Sequence, residues 1–391
     1  MNKKSSGNTS GMTNLKKLVR EPILLLSILI VFYLLTVFVI FPLFQVFKTS
    51  LTYNGKLGLG NYIEVIKQSY YIQPFINSMI LGILTATIGT FIGFIFSYAI
   101  TRTPMKGKKL FRLIATFPIV SPPFVIALAA ILLFGRSGVF AGMFGNIYGL
   151  KGLVLVEVIA YSPTAFLALV GVLRAIDPSL EEAAMDLGAS RIRVFRKVIL
   201  PLATPGIVSA WLLVFIQSVA DFGNPMIISG DFSVLSVQAY LQITGMYDLP
   251  RGATLAILLL IPTVAAFYLQ KYFLSKKSYV TVTGKPTAAT IKNLEWYIKF
   301  PVYFLCVFFA GVVLLFYGMV VYGSFQKLWG VDSTLTLANY VQMWRVGKGY
   351  IFDSLIIASI VTPITGFFGM FIAFLITRKN FPGKNLMEFS S

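Results

Sequence analysis

Eight stretches of this chain are apolar over roughly the twenty residues that a helix needs to cross a bilayer, and that constrains the fold more than any other feature. They lie at about 23–47, 75–101, 113–134, 152–175, 206–222, 253–273, 300–324 and 353–377. The fifth is the shortest, and the third contains Pro118, Pro122 and Pro123. Hydrophobic residues make up 57% of the chain and charged residues 12%. A soluble domain holds about half apolar and a quarter charged residues, and a disordered chain is poor in the aliphatic and aromatic residues found here. The expected fold is therefore all-α and polytopic, with the charges confined to loops. The first run follows Lys16, Lys17 and Arg20, like a signal peptide. Its 25 or so residues are too many for a signal core, and no small-x-small cleavage site follows, so it reads as a permanent span.

The formal charge of +19 is a topology signal. With the N-terminus in the cytoplasm, basic residues concentrate in 1–22, 102–112, 174–205, 271–299 and 378–391, which together hold 24 of the 33. The inner side then carries +17 and the outer side +2, as the positive-inside rule requires. A nucleic-acid partner is not needed to explain the charge. Histidine is absent, which removes imidazole metal sites and Ser-His or Cys-His catalysis. The single cysteine, Cys306, can form neither an intrachain disulfide nor a cysteine-cluster metal site. No cofactor is expected.

The chain also repeats itself. Residues 78–113 and 354–389 share eleven identities in 36 positions at an offset of 276, among them Ile100-Thr101-Arg102 with Ile376-Thr377-Arg378, and Gly107-Lys108 with Gly383-Lys384. The copies are offset by six spans, so both cross the membrane in the same sense, unlike the inverted repeats of many secondary transporters. The organisation expected is a cytoplasmic tail (1–22), a six-span unit (23–275), a cytoplasmic linker (276–299) and the first two spans of a second unit (300–391). A complete second unit would add four spans and another loop like the one described next.

That loop, 174–205, is the longest on the cytoplasmic side. Asp177 before Pro178 forms an N-cap with proline at the first helical position. Glu181 and Glu182 sit where the helix dipole favours negative charge. Leu180, Ala184 and Leu187 share a face, with Ala183 beside it, and Gly188 can end the helix in a left-handed conformation. Ser190 then caps a second helix with an apolar face (Ile192, Phe195, Ile199) and a basic face (Arg193, Arg196, Lys197). This basic face suits lipid headgroups, and Pro201 is expected to stop the helix. The first helix offers small alanines to a partner surface.

The segment Glu182-Ala183-Ala184, three residues, Gly188, nine residues, Val198, one residue, Leu200-Pro201 resembles the EAA loop of binding-protein-dependent ATP-binding-cassette importer permeases. The family pattern has Ile where this chain has Val198. The resemblance implies that Glu182, Ala183, Ala184 and Gly188 dock on a separate ATPase subunit, two copies of which serve a full importer. It also implies that an extracytoplasmic binding protein delivers the substrate and that the chain sits in a bacterial inner membrane. Fused double units resemble ferric-iron importers most, then thiamine and phosphonate importers. The stretch Ala220-Asp221-Phe222-Gly223-Asn224-Pro225, continued through Asp248, is similar to the ferric type.

Little else can carry chemistry. Gly107-Lys108 and Gly284-Lys285 lack the Ser or Thr of a phosphate-binding loop, so ATP hydrolysis belongs to another chain and this one is not an enzyme. Glu181 and Glu182 are adjacent and point apart on a helix. Glu157, Asp221 and Asp353 fall near the outer ends of spans, either as interfacial caps or as lining of a pathway, with Asp221 and Asn224 the stronger pathway candidates. Gly89-xxx-Gly93 is a helix-packing pattern, and the prolines at 122, 123 and 163 permit bends. Asn8-Thr9-Ser10 is a glycosylation sequon on the cytoplasmic side. An ion-driven secondary transporter would favour charges deep in the spans and lack the loop.

Overall fold

The computed structural model describes residues 21–143, 145–276 and 295–390. The N-terminal tail with its sequon and most of the expected linker lie outside them. The described residues form fourteen helices and two short hairpins: α1 (Pro22–Ser50), β1 (Thr52–Tyr53), β2 (Lys56–Leu57), α2 (Gly60–Lys67), α3 (Ser69–Arg102), α4 (Lys108–Val120), α5 (Pro123–Phe134), α6 (Leu150–Ala175), α7 (Pro178–Asp186), α8 (Arg191–Ala220), α9 (Gly223–Ile228), α10 (Leu235–Thr244), α11 (Leu249–Lys276), α12 (Trp296–Phe325), β3 (Gln326–Leu328), β4 (Asp332–Leu335), α13 (Ala338–Arg378) and α14 (Lys384–Ser390). Each strand pair is antiparallel. Seven helices are long and apolar enough to span a membrane, and a bent pair makes an eighth. All eight coincide with the apolar runs read from the sequence.

The third run is not a straight helix. α4 and α5 meet at 104°. Ser121 and Pro122 each precede a proline, which disfavours the helical region, and both are extended, with ψ of 150° and 137°. Halves of 13 and 12 residues are too short to cross separately. The fifth span is also longer than its apolar run, because it begins inside the 174–205 loop.

Contacts divide the chain into two compact units, residues 50–336 and residues 1–49 with 337–391. In the larger, α3 packs along α6 and α8, and α8 packs on α11. Small residues set this spacing. A Cβ at Gly93 would meet the Phe166 nitrogen at 2.7 Å, so α3 and α6 approach backbone to backbone. At Gly89 the nearest contact is 3.5 Å, an ordinary separation. Beside the first hairpin, Arg251 bridges Glu64 (3.0 Å) and Asp248 (2.9 Å), tying α2 to the start of α11. In the smaller unit, Ile28, Val31 and Leu35 of α1 cluster with Ile372, Leu375 and Met387. Most of α13 is uncovered, with only 6% of its apolar window buried.

Candidate functional site

The loop at 174–205 folds as the hairpin its sequence predicts, with two differences. The Asp177 carboxylate accepts from the Ser179 N–H at 3.0 Å and caps α7. At the other end the Gly188 N–H donates to the Met185 carbonyl at 2.9 Å and the Ala189 N–H to the Ala184 carbonyl at 3.0 Å. This is a Schellman closure, with Gly188 left-handed at φ +83°. Ser190 caps the next helix through the Arg193 N–H.

The first difference is at Pro201, which does not stop the second helix. The turn Phe195–Ile199 is a π-turn, after which the helix runs on to Ala220. The wider turn passes its hydrogen bonds around the proline, whose missing N–H then breaks no ladder that the helix needs. α8 is therefore one helix from the hairpin to the far end of the fifth span.

The second difference is the disposition of the apolar residues. Ala184 and Met185 pack inward on Leu173, Ile176, Val194 and Ile199. Leu180 and Leu187, expected beside Ala184, remain 47% and 89% exposed, with Ala183 exposed between them. In the second helix Val194 takes the buried place expected for Ile192, which is 42% exposed. Arg193, Arg196 and Lys197 are exposed as predicted. Of the other motif residues, Glu182 and Val198 are half-buried, while Gly188, Leu200 and Pro201 are exposed. A Cβ at Gly188 would meet nothing within 4 Å.

One residue holding this hairpin was visible in the sequence only as a repeat match. Arg102, at the end of α3, makes an ion pair with Glu181 at 2.8 Å and is 6% exposed. Its guanidinium also donates to the Leu173 and Ile176 carbonyls at 2.6 and 2.8 Å. These carbonyls belong to the C-terminal end of α6, where a helix leaves acceptors unpaired and favours a cation. Arg102 thus joins α3, α6 and α7. Burial pushes the Glu181 carboxyl up from its usual range, and Arg102 and then Arg191 draw it back in part.

The second cluster lies toward the opposite end of α8. Glu157 is fully buried in α6, so the sequence reading of an interfacial cap does not hold. Its carboxylate accepts from Thr85 of α3 at 3.0 Å and from Ser218 of α8. Asp221 is 8% exposed and accepts from the Gly223 N–H at 2.9 Å and the Asn224 side-chain amide at 2.8 Å, pinning α9 to the end of α8. Its own carbonyl accepts from Ser236 at 2.6 Å. The second oxygen of Glu157 and the amide oxygen of Asn224 are buried without a donor among the described residues. Asp353, by contrast, is exposed. No group of three or more acidic or sulfur side chains that could hold a metal occurs among the described residues.

Comparison with known proteins places this architecture. Residues 89–279 match the model for binding-protein-dependent transport system inner membrane components. A ferric transport system permease protein of Haemophilus influenzae is 32% identical over 97% of this chain and 63% of its own length. One from Actinobacillus pleuropneumoniae is 34% identical over 84% of this chain and 50% of its own length. The chain thus spans between half and two thirds of these relatives. A bacterial alginate ABC transporter, solved in complex with a pentasaccharide-bound periplasmic protein, shares the fold, with a TM-score of 0.57 at 16% identity over 69% of this chain and 99% of its own. The chain thus has the apolar helices of a multi-pass membrane protein and, over residues 89–279, matches the inner membrane components of binding-protein-dependent transport systems.

Proposed function

We propose that this chain is the permease of an ATP-driven importer for ferric iron, with its N-terminus in the cytoplasm. The observation that carries the reading is the hairpin: an exposed face of Leu180, Ala183 and Leu187, closed by an exposed left-handed glycine and anchored to two spans by one buried arginine. An apolar face presented on a rigid, capped element suits a groove on a partner protein. Glu182, Ala183, Ala184 and Gly188 form the docking side for a separate ATPase subunit. Val198, Leu200 and Pro201 carry the hairpin into α8. Closure of the ATPase pair moves α7, and α7 moves α3 and α6 through Arg102 and α8 through its unbroken backbone.

The ferric cargo is supported by the two relatives named as ferric transport permeases, which align along most of the chain. A binding protein delivers the cargo at the outer face, and Asp221 and Asn224 line the pathway near that end. Residues 23–275 then serve as one six-span permease unit and 300–391 as the beginning of a second, joined by a cytoplasmic linker.

Gly188→Asp tests the docking assignment. The new side chain enters open space, and aspartate tolerates the left-handed region better than most residues. The fold should survive while co-purification with the neighbouring ATPase falls at least tenfold. Unchanged association and unchanged ATPase stimulation would refute the assignment. Uptake of iron, compared with thiamine and phosphonate in the same cells, decides the cargo.

A further inference from the structure

A cleft of about 330 Å³ opens beside the coupling hairpin, between α3, the first turns of α8 and α12. Its floor is aromatic: Phe94, Tyr98 and Phe195 form a mutually packed trio with ring centroids 5.6 to 6.2 Å apart. Val302 of α12 closes the far wall, and Arg191 and Arg196 stand at the rim. No acidic side chain is among the residues that line it. Glu181, the carboxylate that Arg191 faces, is already paired with Arg102. The rim therefore keeps its positive charge beside an apolar slot.

We propose that this cleft binds one anionic phospholipid, its acyl chain along the aromatic floor and its phosphodiester on Arg191 and Arg196. The two halves of the cleft call for one molecule with two chemistries. An apolar ligand leaves two guanidinium groups without an anion, and a free phosphate leaves the slot empty. Guanidinium groups grip phosphate oxygens in a bidentate fashion, and a basic pocket between spans at the cytoplasmic surface fits a lipid headgroup. The bilayer brings this ligand to the site at high local concentration. The lipid bridges α3, the coupling hairpin and α12, none of which is joined to both others by covalent chain at this point. The inference uses the proposed N-in orientation to put the rim at the inner headgroup layer, and it is independent of the cargo.

The full chain, purified in neutral detergent and given equal phosphatidylglycerol and phosphatidylcholine, is examined by native mass spectrometry. One phosphatidylglycerol per chain should be retained in preference to phosphatidylcholine. R191Q/R196Q should lower that retention roughly tenfold or more. Ile95→Trp, which fills the cleft and leaves both arginines, should abolish it. Should the double variant fold poorly, R196Q alone decides, since Arg196 is exposed. Equal retention of the two lipids, unchanged retention in the arginine variants, or displacement by millimolar inorganic phosphate would each overturn the proposal. ATPase association of the same variants is read separately, so a failed docking assignment cannot be mistaken for a failed lipid site.

Discussion

The two copies of the internal repeat share a local structure and differ in what surrounds it. Both consist of a long helix ending in Ile-Thr-Arg, a short extended link, a left-handed glycine and a second helix starting at lysine. Gly107 has φ +77° and Gly383 φ +85°. The first copy is packed. Arg102 is buried against Glu181 and two carbonyls, and Gly93 lets α6 approach to backbone contact. In the second copy Arg378 is exposed and Gly369 has open space about it. Local conformation is thus written in the repeated residues, whereas the duty of each residue is set by its neighbours. A glycine fixed by its own φ needs no partner. A glycine kept small for a neighbour has meaning only where that neighbour is present.

The largest expected contrast is at the arginines. Arg102→Met strands the half-buried Glu181 carboxylate and two carbonyls, and should cost about 3 kcal/mol. Arg378→Met should cost less than about 0.5 kcal/mol. Thermal unfolding of the purified full chain in detergent measures both, and equal losses would break the comparison. Next come the glycines. Gly93→Val forces a branched side chain into the α3–α6 contact and should cost about 1–3 kcal/mol. Gly369→Ala should be neutral or slightly stabilising, since alanine is the better helix former.

The smallest effect is electrostatic and concerns only the first copy. The Glu181 carboxyl lies above its usual value near 4.5 in the folded chain, chiefly through burial. The folded state therefore holds this proton more tightly than the unfolded one. The stability gained from it is fully present below the unfolded value and is lost as pH rises through the folded one. Glu181→Gln should remove this slope, with a difference of no more than about 1 kcal/mol. Melting temperatures of the two proteins from pH 4 upward test the sign: a wild-type chain that gains stability over Glu181→Gln across that window would contradict it.

Legibility from sequence followed the range of the interaction. Asp177, Gly188 and Ser190 act on backbone within five residues, so their caps were readable from spacing. The spans were readable because bilayer thickness fixes the length of an apolar run. Pro201 misled, because its local rule was overridden by a π-turn whose sequence carries no strong mark. Glu157 misled in the other direction. Its distance along the span suggested an interface, but Thr85 and Ser218 meet it from two other helices, 72 and 61 residues away in sequence. Arg102 left a faint trace, as one of the polar identities in a repeat otherwise dominated by apolar matches. Its partner Glu181 had been assigned only to the helix dipole.

α8 has a mechanical consequence. Thirty residues at 1.5 Å per residue make a strut about 45 Å long, with the 174–205 hairpin at one end and Asp221 at the other. A tilt of only about 5° about its middle swings each tip by about 2 Å, in opposite directions. Two ångströms exceeds the tolerance of the hydrogen bonds that tie this end to other helices, from Ser218 to Glu157 of α6 and from Ser236 of α10 to the Asp221 carbonyl. A small tilt of α8 is therefore felt at both ends at once, and the end far from the hairpin meets it as lost contacts to α6 and α10.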